Sequence, residues 1–313
     1  MKAPFPYFGG KRRAAPLIWG ALGDPGGYVE PFAGSAAVLL ARPPVKGRRV
    51  ETINDADGWL VNAWRAIALS PDDVTRHAVG PVTEIDYHAR LAWLQERRGD
   101  DIASWLEGDP EAHDAKAAGW WLYVTAAGIG DPFGPGPWRV IDGHLVDTRE
   151  LPHLGDAGRG VNRELPHLGN AGQGVAEYMR RLAHRLQRVR ITCGDWRRVL
   201  TPSASRAKTG GDGAIGILLD PPYATSGDLY AHADSDGSLS EAARLWCMDA
   251  PDDLRIVLCG YETEHDALLA SGWTVIDGRA GGGAGYNTDS RAGRRERLWL
   301  SPACINDAQG VLL

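Results

Sequence analysis

The densest chemistry in the chain is Asp220-Pro221-Pro222-Tyr223, which follows the apolar run Ile215-Gly216-Ile217-Leu218-Leu219. Such a run reads as a buried parallel strand, so the carboxylate stands at a strand's C-terminal end, where open α/β sheets build their sites. Proline lacks an N–H and fixes φ, which stiffens the turn. A carboxylate and an aromatic ring held this rigidly suit recognition of a planar amine; a plain structural turn after a strand is the alternative.

Four further segments carry chemistry. Tyr28-Val29-Glu30-Pro31-Phe32-Ala33-Gly34-Ser35 reads as a strand, a tight turn and a helix start, with small residues that let a ligand approach the backbone. It lacks G-x-G-x-x-G, which argues against a dinucleotide oxidoreductase. Asn54-Asp55 ends the next strand, where Asp55 can hold ribose hydroxyls or cap the following helix. Tyr7-Phe8-Gly9-Gly10-Lys11 pairs glycines with a lysine, a weak anion-loop candidate. Cys193-Gly194-Asp195-Trp196 offers an acceptor and an aromatic face beside another strand end, or simply a cap and a core tryptophan.

Taken together, these segments resemble the Dam-like, α-group DNA adenine N6-methyltransferases. That family orders an F-x-G-G-K motif, an E-P-F-x-G motif, an N-D motif, a target-recognition insert and D-P-P-Y. Here they are Phe8-Gly9-Gly10-Lys11, with one residue fewer before the glycines, then Glu30-Pro31-Phe32-Ala33-Gly34, Asn54-Asp55 and Asp220-Pro221-Pro222-Tyr223. Ala36 stands where the family often has another glycine. The likeness covers roughly residues 4–70 and 186–301 and includes the tail Glu296-Arg297-Leu298-Trp299-Leu300-Ser301.

The resemblance implies a Rossmann-like α/β sheet that binds S-adenosyl-L-methionine across the C-terminal edges of its first strands. Lys11 and Gly34 would lie near its methionine portion, Asp55 on its ribose and Asp195 with Trp196 near its adenine, with Tyr7, Gly9, Gly10, Glu30 and Phe32 also in the cofactor site. Asp220 and the Pro221 carbonyl would accept the two hydrogens of an adenine N6, turning its lone pair toward the methyl donor, and Pro222 would stiffen the corner. Because N6 is buried in a base pair of double-stranded DNA, the base must flip out, and Tyr223 would stack on it. Transfer to cytosine N4 at the same corner, or a catalytically silent DNA-binding protein of this fold, are the alternatives. A cytosine C5 enzyme is excluded, since none of the four cysteines follows a proline.

The elements that must position these residues read as follows. Helices are expected over 13–22, 35–42 and 57–69, with strands over 28–30 and 49–54. Strands resume at 188–193, 214–220, 254–259, 274–279 and 297–301, with helices near 240–249 and 262–271. Alternation of this kind specifies a mostly parallel sheet flanked by helices. The catalytic domain is therefore discontinuous, 1–70 and 186–313, around an insert at 71–185. In the insert, two or three amphipathic helices over 71–128 are expected to bury Leu91, Leu94, Trp105 and Leu106. A Gly/Pro-rich stretch over 128–143 forbids a regular helix or central strand.

A tandem repeat follows, residues 149–162 against 163–176, either a duplicated surface loop or a binding loop. His153 and His167 recur in it, but without acidic or cysteine ligands at helical spacing no metal site is expected.

Composition narrows the class. Net charge is −6, with 34 Lys and Arg against 40 Asp and Glu, which opposes a generally basic chromatin-type protein. Local arginine groups at 180–198 and 291–297 are expected to supply the basic surface that DNA requires. Trp120, Trp121 and Trp138 are candidates for base readout, core packing being the plainer role of the first two. The four scattered cysteines fit buried thiols in a reducing cytosol, and no apolar run approaches a membrane span, so a cytoplasmic protein without membrane contact is expected.

Overall fold

A computed structural model describes residues 1–5, 7, 10–97, 102–109, 111–128, 138–141, 144–147, 174–205, 208, 210–222, 238–278 and 296–305. The chain opens with α1 (Ala15–Leu22), β1 (Gly27–Glu30), α2 (Ala37–Leu40), β2 (Val50–Asp55) and α3 (Gly58–Leu69). Helices α4 (Pro71–Ala78), α5 (Glu84–Arg97), α6 (Ile102–Gly108) and α7 (Ala115–Ala127) follow, then a hairpin of β3 (Trp138–Ile141) and β4 (His144–Asp147). The sheet resumes after α8 (Val175–Leu186) with β5 (Val189–Cys193), a 3-10 turn (Trp196–Leu200), α9 (Pro202–Ser205) and β6 (Ile215–Leu219). It ends with α10 (Ser238–Met248), β7 (Leu254–Tyr261), a second 3-10 turn (Asp266–Ser271), β8 (Thr274–Asp277) and β9 (Glu296–Leu300).

Seven strands form one mixed sheet in the order β5-β2-β1-β6-β7-β9-β8. The first five are parallel, and β9 runs antiparallel to both β7 and β8. The parallel part thus has the 3-2-1-4-5 order of doubly wound α/β sheets, and an antiparallel pair takes the far edge. Period-two alternation sends side chains to two cores. Leu218, Val257, Cys259, Leu298 and Leu300 face one, with Ile18, Trp64 and Met179. Ile217, Leu219, Ile256, Leu258 and Trp299 face the other, with Trp196, Ala243 and Leu268. Burial on both faces explains why β6 is apolar throughout.

Helices α4, α5 and α7 share the first of these cores, where Val74, Leu94, Leu122 and Val124 pack in the same cluster as Tyr28 and Ile53, while α6 packs Leu106 against Val61 and Cys193. Leu94 and Leu106 are buried and Leu91 half-buried as expected, but Trp105 is 46% exposed, because α6 is a two-turn helix whose one inward stripe is taken by Leu106. The strand pair β3–β4 was not foreseen from the Gly/Pro-rich stretch; it pairs only with itself and joins no central sheet.

Two expected helices are shorter. The one over 35–42 is reduced to α2 because Ala36 takes a left-handed φ of 47°, which no helix tolerates. The one over 262–271 is a 3-10 turn, with Glu262 at φ 31° breaking its start. The repeat lies outside the described residues up to position 173; its last two, Val175 and Ala176, begin α8. No helix among the described residues is long and apolar enough to cross a membrane. All four cysteines are buried thiols.

Candidate functional site

The order of the parallel strands reverses between β1 and β6, and such a switch point opens a crevice at the strands' carboxyl ends. A cleft of about 1000 Å³, counting open solvent at its mouth, lies there. Its walls include Tyr7, Gly10, Lys11, Glu30, Phe32, Gly34, Asp55, Asp195, Trp196, Asp220 and Pro222. Eleven residues named from the sequence therefore meet in one place, contributed by the N-terminal segment and the ends of β1, β2, β5 and β6. Pro221 is buried beneath the surface and is not part of the wall. Gly9 and Tyr223 lie outside the described residues.

The turn after β1 brings main chain to the cleft. Gly34 has φ 46°, and a Cβ there would stand 2.5 Å from Tyr7 Cε1, so only glycine fits against that ring. Its N–H donates to Asp55 Oδ2 at 2.9 Å, and its carbonyl accepts from Trp64 Nε1 at 3.0 Å. Ala36 holds a left-handed conformation that a glycine would adopt without strain, so alanine at this position carries a backbone cost.

Asn54 ties three strand ends together. Its Nδ2 donates to Pro31 O at 3.1 Å and to Gly194 O at 2.9 Å, and its Oδ1 accepts from Thr192 Oγ1 at 2.9 Å. This latch was not assigned from the sequence, although its buried amide is what holds the β1, β2 and β5 loops in register. Asp55 does not cap α3. Its Oδ1 accepts the Asp57 N–H at 3.0 Å, and Asp57 itself caps the helix, accepting from Trp59 N at 2.9 Å. Two acids thus stand side by side on the wall, Asp55 bridging the loops and Asp57 starting the helix.

Asp195 caps the 3-10 turn, accepting from Arg197 N at 2.7 Å, and is exposed. Trp196 behind it is buried, its ring 5.5 Å from that of Phe32 at a tilt of 34°. Cap and core tryptophan are the roles expected as the plainer alternative. The same two residues nevertheless also line the cleft, with Leu239 of α10, which sequence reading missed because no motif surrounds it.

The deepest feature is electrostatic. Lys11, only 5% exposed, places Nζ 2.8 Å from Asp220 Oδ1 and 3.0 Å from Glu296 Oε1. Burial works against its charge, but the facing Asp220 and Glu296 carboxylates outweigh that and hold its pKa raised. Lys11 is therefore a carboxylate clamp more than an open anion loop. Glu30 is buried and accepts from Tyr28 Oη at 3.0 Å and Leu39 N at 3.3 Å. Burial pushes its carboxyl up to about 8 against those hydrogen bonds, with Asp220 and Glu51 nearby raising it further. Among the described lining residues Lys11 is the single cation, against Glu30, Asp55, Asp57, Asp195 and Asp220. A cationic or hydroxyl-rich ligand suits such a wall, and a phosphate does not.

The arginine group at 180–198 is less available than expected. Arg180 pairs with Asp72 at 2.8 Å, Arg185 with Glu51 at 2.6 Å, Arg197 with Asp195 at 3.3 Å and Arg198 with Glu107 at 2.7 Å. Acids distant in sequence meet three of these arginines in space, Arg180, Arg185 and Arg198; Arg188 and Arg190 are exposed. Arg291, Arg294 and Arg295 lie outside the described residues, and Arg297 stands 3.4 Å from Asp277. Trp121 packs in the core beside Phe5, ring centroids 4.8 Å apart, whereas Trp120 is half-buried with Lys116 4.3 Å over its ring; the Trp138 side chain lies outside the described residues. A scan of the chain against protein-family models finds no match, and a search of curated proteins finds none either.

Proposed function

We propose that the chain is a DNA methyltransferase that transfers a methyl group from S-adenosylmethionine to adenine N6 of a flipped-out base in double-stranded DNA. The convergence of five separate sequence segments on one acid-walled cleft at the sheet's switch point carries this reading. The residues suit the cofactor chemically. Asp55 and Asp57 offer acceptors for ribose hydroxyls, Phe32 and Trp196 an aromatic wall for a purine, and Gly34 a main chain approachable without a side chain. The surplus of carboxylates favours a sulfonium, and when bound the cofactor supplies an electrophilic methyl group.

The adenine amine is a poor nucleophile because its lone pair is delocalised into the ring. In the proposed step the Asp220 carboxylate accepts one of its hydrogens, favouring a pyramidal nitrogen, and the Pro221 carbonyl is assigned the other from the resemblance, although Pro221 itself is buried and does not line the cleft. Lys11 fixes Asp220 in place through the 2.8 Å ion pair. Rate enhancement then rests on positioning and fixed electrostatics, with no covalent nucleophile. Tyr223, next in sequence, is assigned the stacking role on the flipped base.

Incubation with methyl-labelled S-adenosylmethionine and unmethylated duplex DNA, followed by nucleoside analysis, tests the proposal. N6-methyladenine at defined sites is the expected product. N4-methylcytosine would reassign the substrate, and DNA that stays unlabelled after saturating incubation would overturn the activity.

A further inference from the structure

Glu296 opens β9 and faces Tyr261 across the ladder with β7, while its carbonyl accepts the Gly278 N–H at 3.1 Å. Main chain on two sides therefore fixes where its carboxylate stands. Its Oε1 and Asp220 Oδ1 lie 3.0 and 2.8 Å from one Lys11 nitrogen, and that nitrogen's side chain is 4% exposed. Three elements far apart in the chain thus meet at one desolvated ammonium. Neutralising Asp220 alone would take the lysine and nothing more; a second carboxylate divides the lysine's charge.

Resting on the methyltransferase reading of the cleft, we propose that Glu296 is a positioning residue for the proton step, sharing the Lys11 ammonium so that Asp220 is anchored and still able to accept a proton. In that step the N6 lone pair forms the bond to the methyl carbon and the carbon–sulfur electron pair stays on sulfur. N6 then carries a surplus proton, which passes to Asp220 and on to water. With the full lysine charge directed at it, Asp220 would be a weaker base and a poorer acceptor. The groups that bear on Asp220 are Lys11 from the N-terminal segment, Glu296 from β9, Glu30 from β1, and Cys259 and Tyr261 from β7. Burial raises both Cys259 and Tyr261, so they stay neutral while the carboxylates titrate.

Glu296→Gln keeps the shape and removes the charge. Turnover at pH 7 is expected to fall about tenfold, the acid limb of the pH–rate profile to move down by about one unit, and KM for S-adenosylmethionine to stay within about twofold. Glu296→Asp, which keeps the charge but withdraws it, should fall between the two and guards against a variant that does not fold. An active native enzyme whose Glu296→Gln variant keeps both turnover and acid limb would overturn the proposal. If the native chain transfers no methyl group to DNA, the methyltransferase reading fails on its own. The carboxyl titration of Asp220, followed by carbon-13 NMR in native and variant protein, then decides the role of Glu296: a lower midpoint in Glu296→Gln supports it, and an unmoved one overturns it.

Discussion

The two rims of the parallel sheet treat charge in opposite ways. At the N-terminal ends of the strands, Arg42 pairs with Glu51 at 3.0 Å and Asp24 at 3.2 Å, Arg49 with Asp24 at 2.6 Å, Arg185 with Glu51 at 2.6 Å, and Arg255 with Asp212. Each of these three acids meets at least one arginine. At the C-terminal rim one lysine stands among five acids of the described lining residues, and two of those acids, Asp55 and Asp57, accept main-chain N–H groups. Balanced charge at one end fastens the fold. Surplus charge at the other is kept in place by backbone and is available to a ligand.

The sharpest test of that contrast is to remove a charge from each rim. Asp220→Ala should lower methyl transfer by at least about a hundredfold, read as label incorporated into DNA, while calorimetry still detects S-adenosylmethionine binding. Glu51→Ala should do the reverse. It strips a carboxylate partner from both Arg42 and Arg185, and because the Arg42 side chain is 3% exposed the loss should be about 3 kcal/mol in denaturant unfolding, with turnover per folded molecule unchanged. Equal loss of stability in both variants would erase the distinction between the rims.

Smaller effects probe how backbone holds the cleft. Gly34→Ala puts a methyl against the Tyr7 ring at positive φ, so a stability loss of about 1–2 kcal/mol is expected together with weaker cofactor binding. Glu30 gives a pH signature. Its carboxyl is raised from the usual 4.5 to about 8, so the folded state prefers it protonated. That contribution is complete below about pH 4.5 and is lost as the pH rises through 8. Glu30→Gln holds the neutral form at every pH, so its melting temperature should gain on the native value steadily above pH 5. Ala36→Gly should have the least effect, relieving the left-handed alanine by at most about 1 kcal/mol, partly offset by glycine's greater freedom in the unfolded chain.

Much of the cleft was legible because its residues sit at strand ends, and strand ends follow from local pattern. The apolar run before Asp220 marked β6, and the small residues after Glu30 marked the turn that approaches a ligand. Local pattern failed where the answer depended on a distant neighbour. Asp55 and Asp57 are equally plausible helix caps by type, and only the Gly34 N–H, folded back from β1, draws Asp55 away from that role. The arginines around α8 and β5 looked like a basic surface until Asp72, Glu51 and Glu107 came up against three of them. Trp105 seemed a core residue by hydropathy, but a helix of two turns has room for one inward stripe.

By itself the sequence determined which side chains could do chemistry and which ends of which strands would carry them, since side-chain type and hydrophobic period are local properties. Only the tertiary structure decided which charges neutralise one another. Coulomb attraction depends on separation in space and on burial, and neither is written in the spacing along the chain. Lys11, Asp220 and Glu296 lie in three distant parts of the sequence, and the sheet order β1, β6, β7, β9 brings them within 3.0 Å of a common atom.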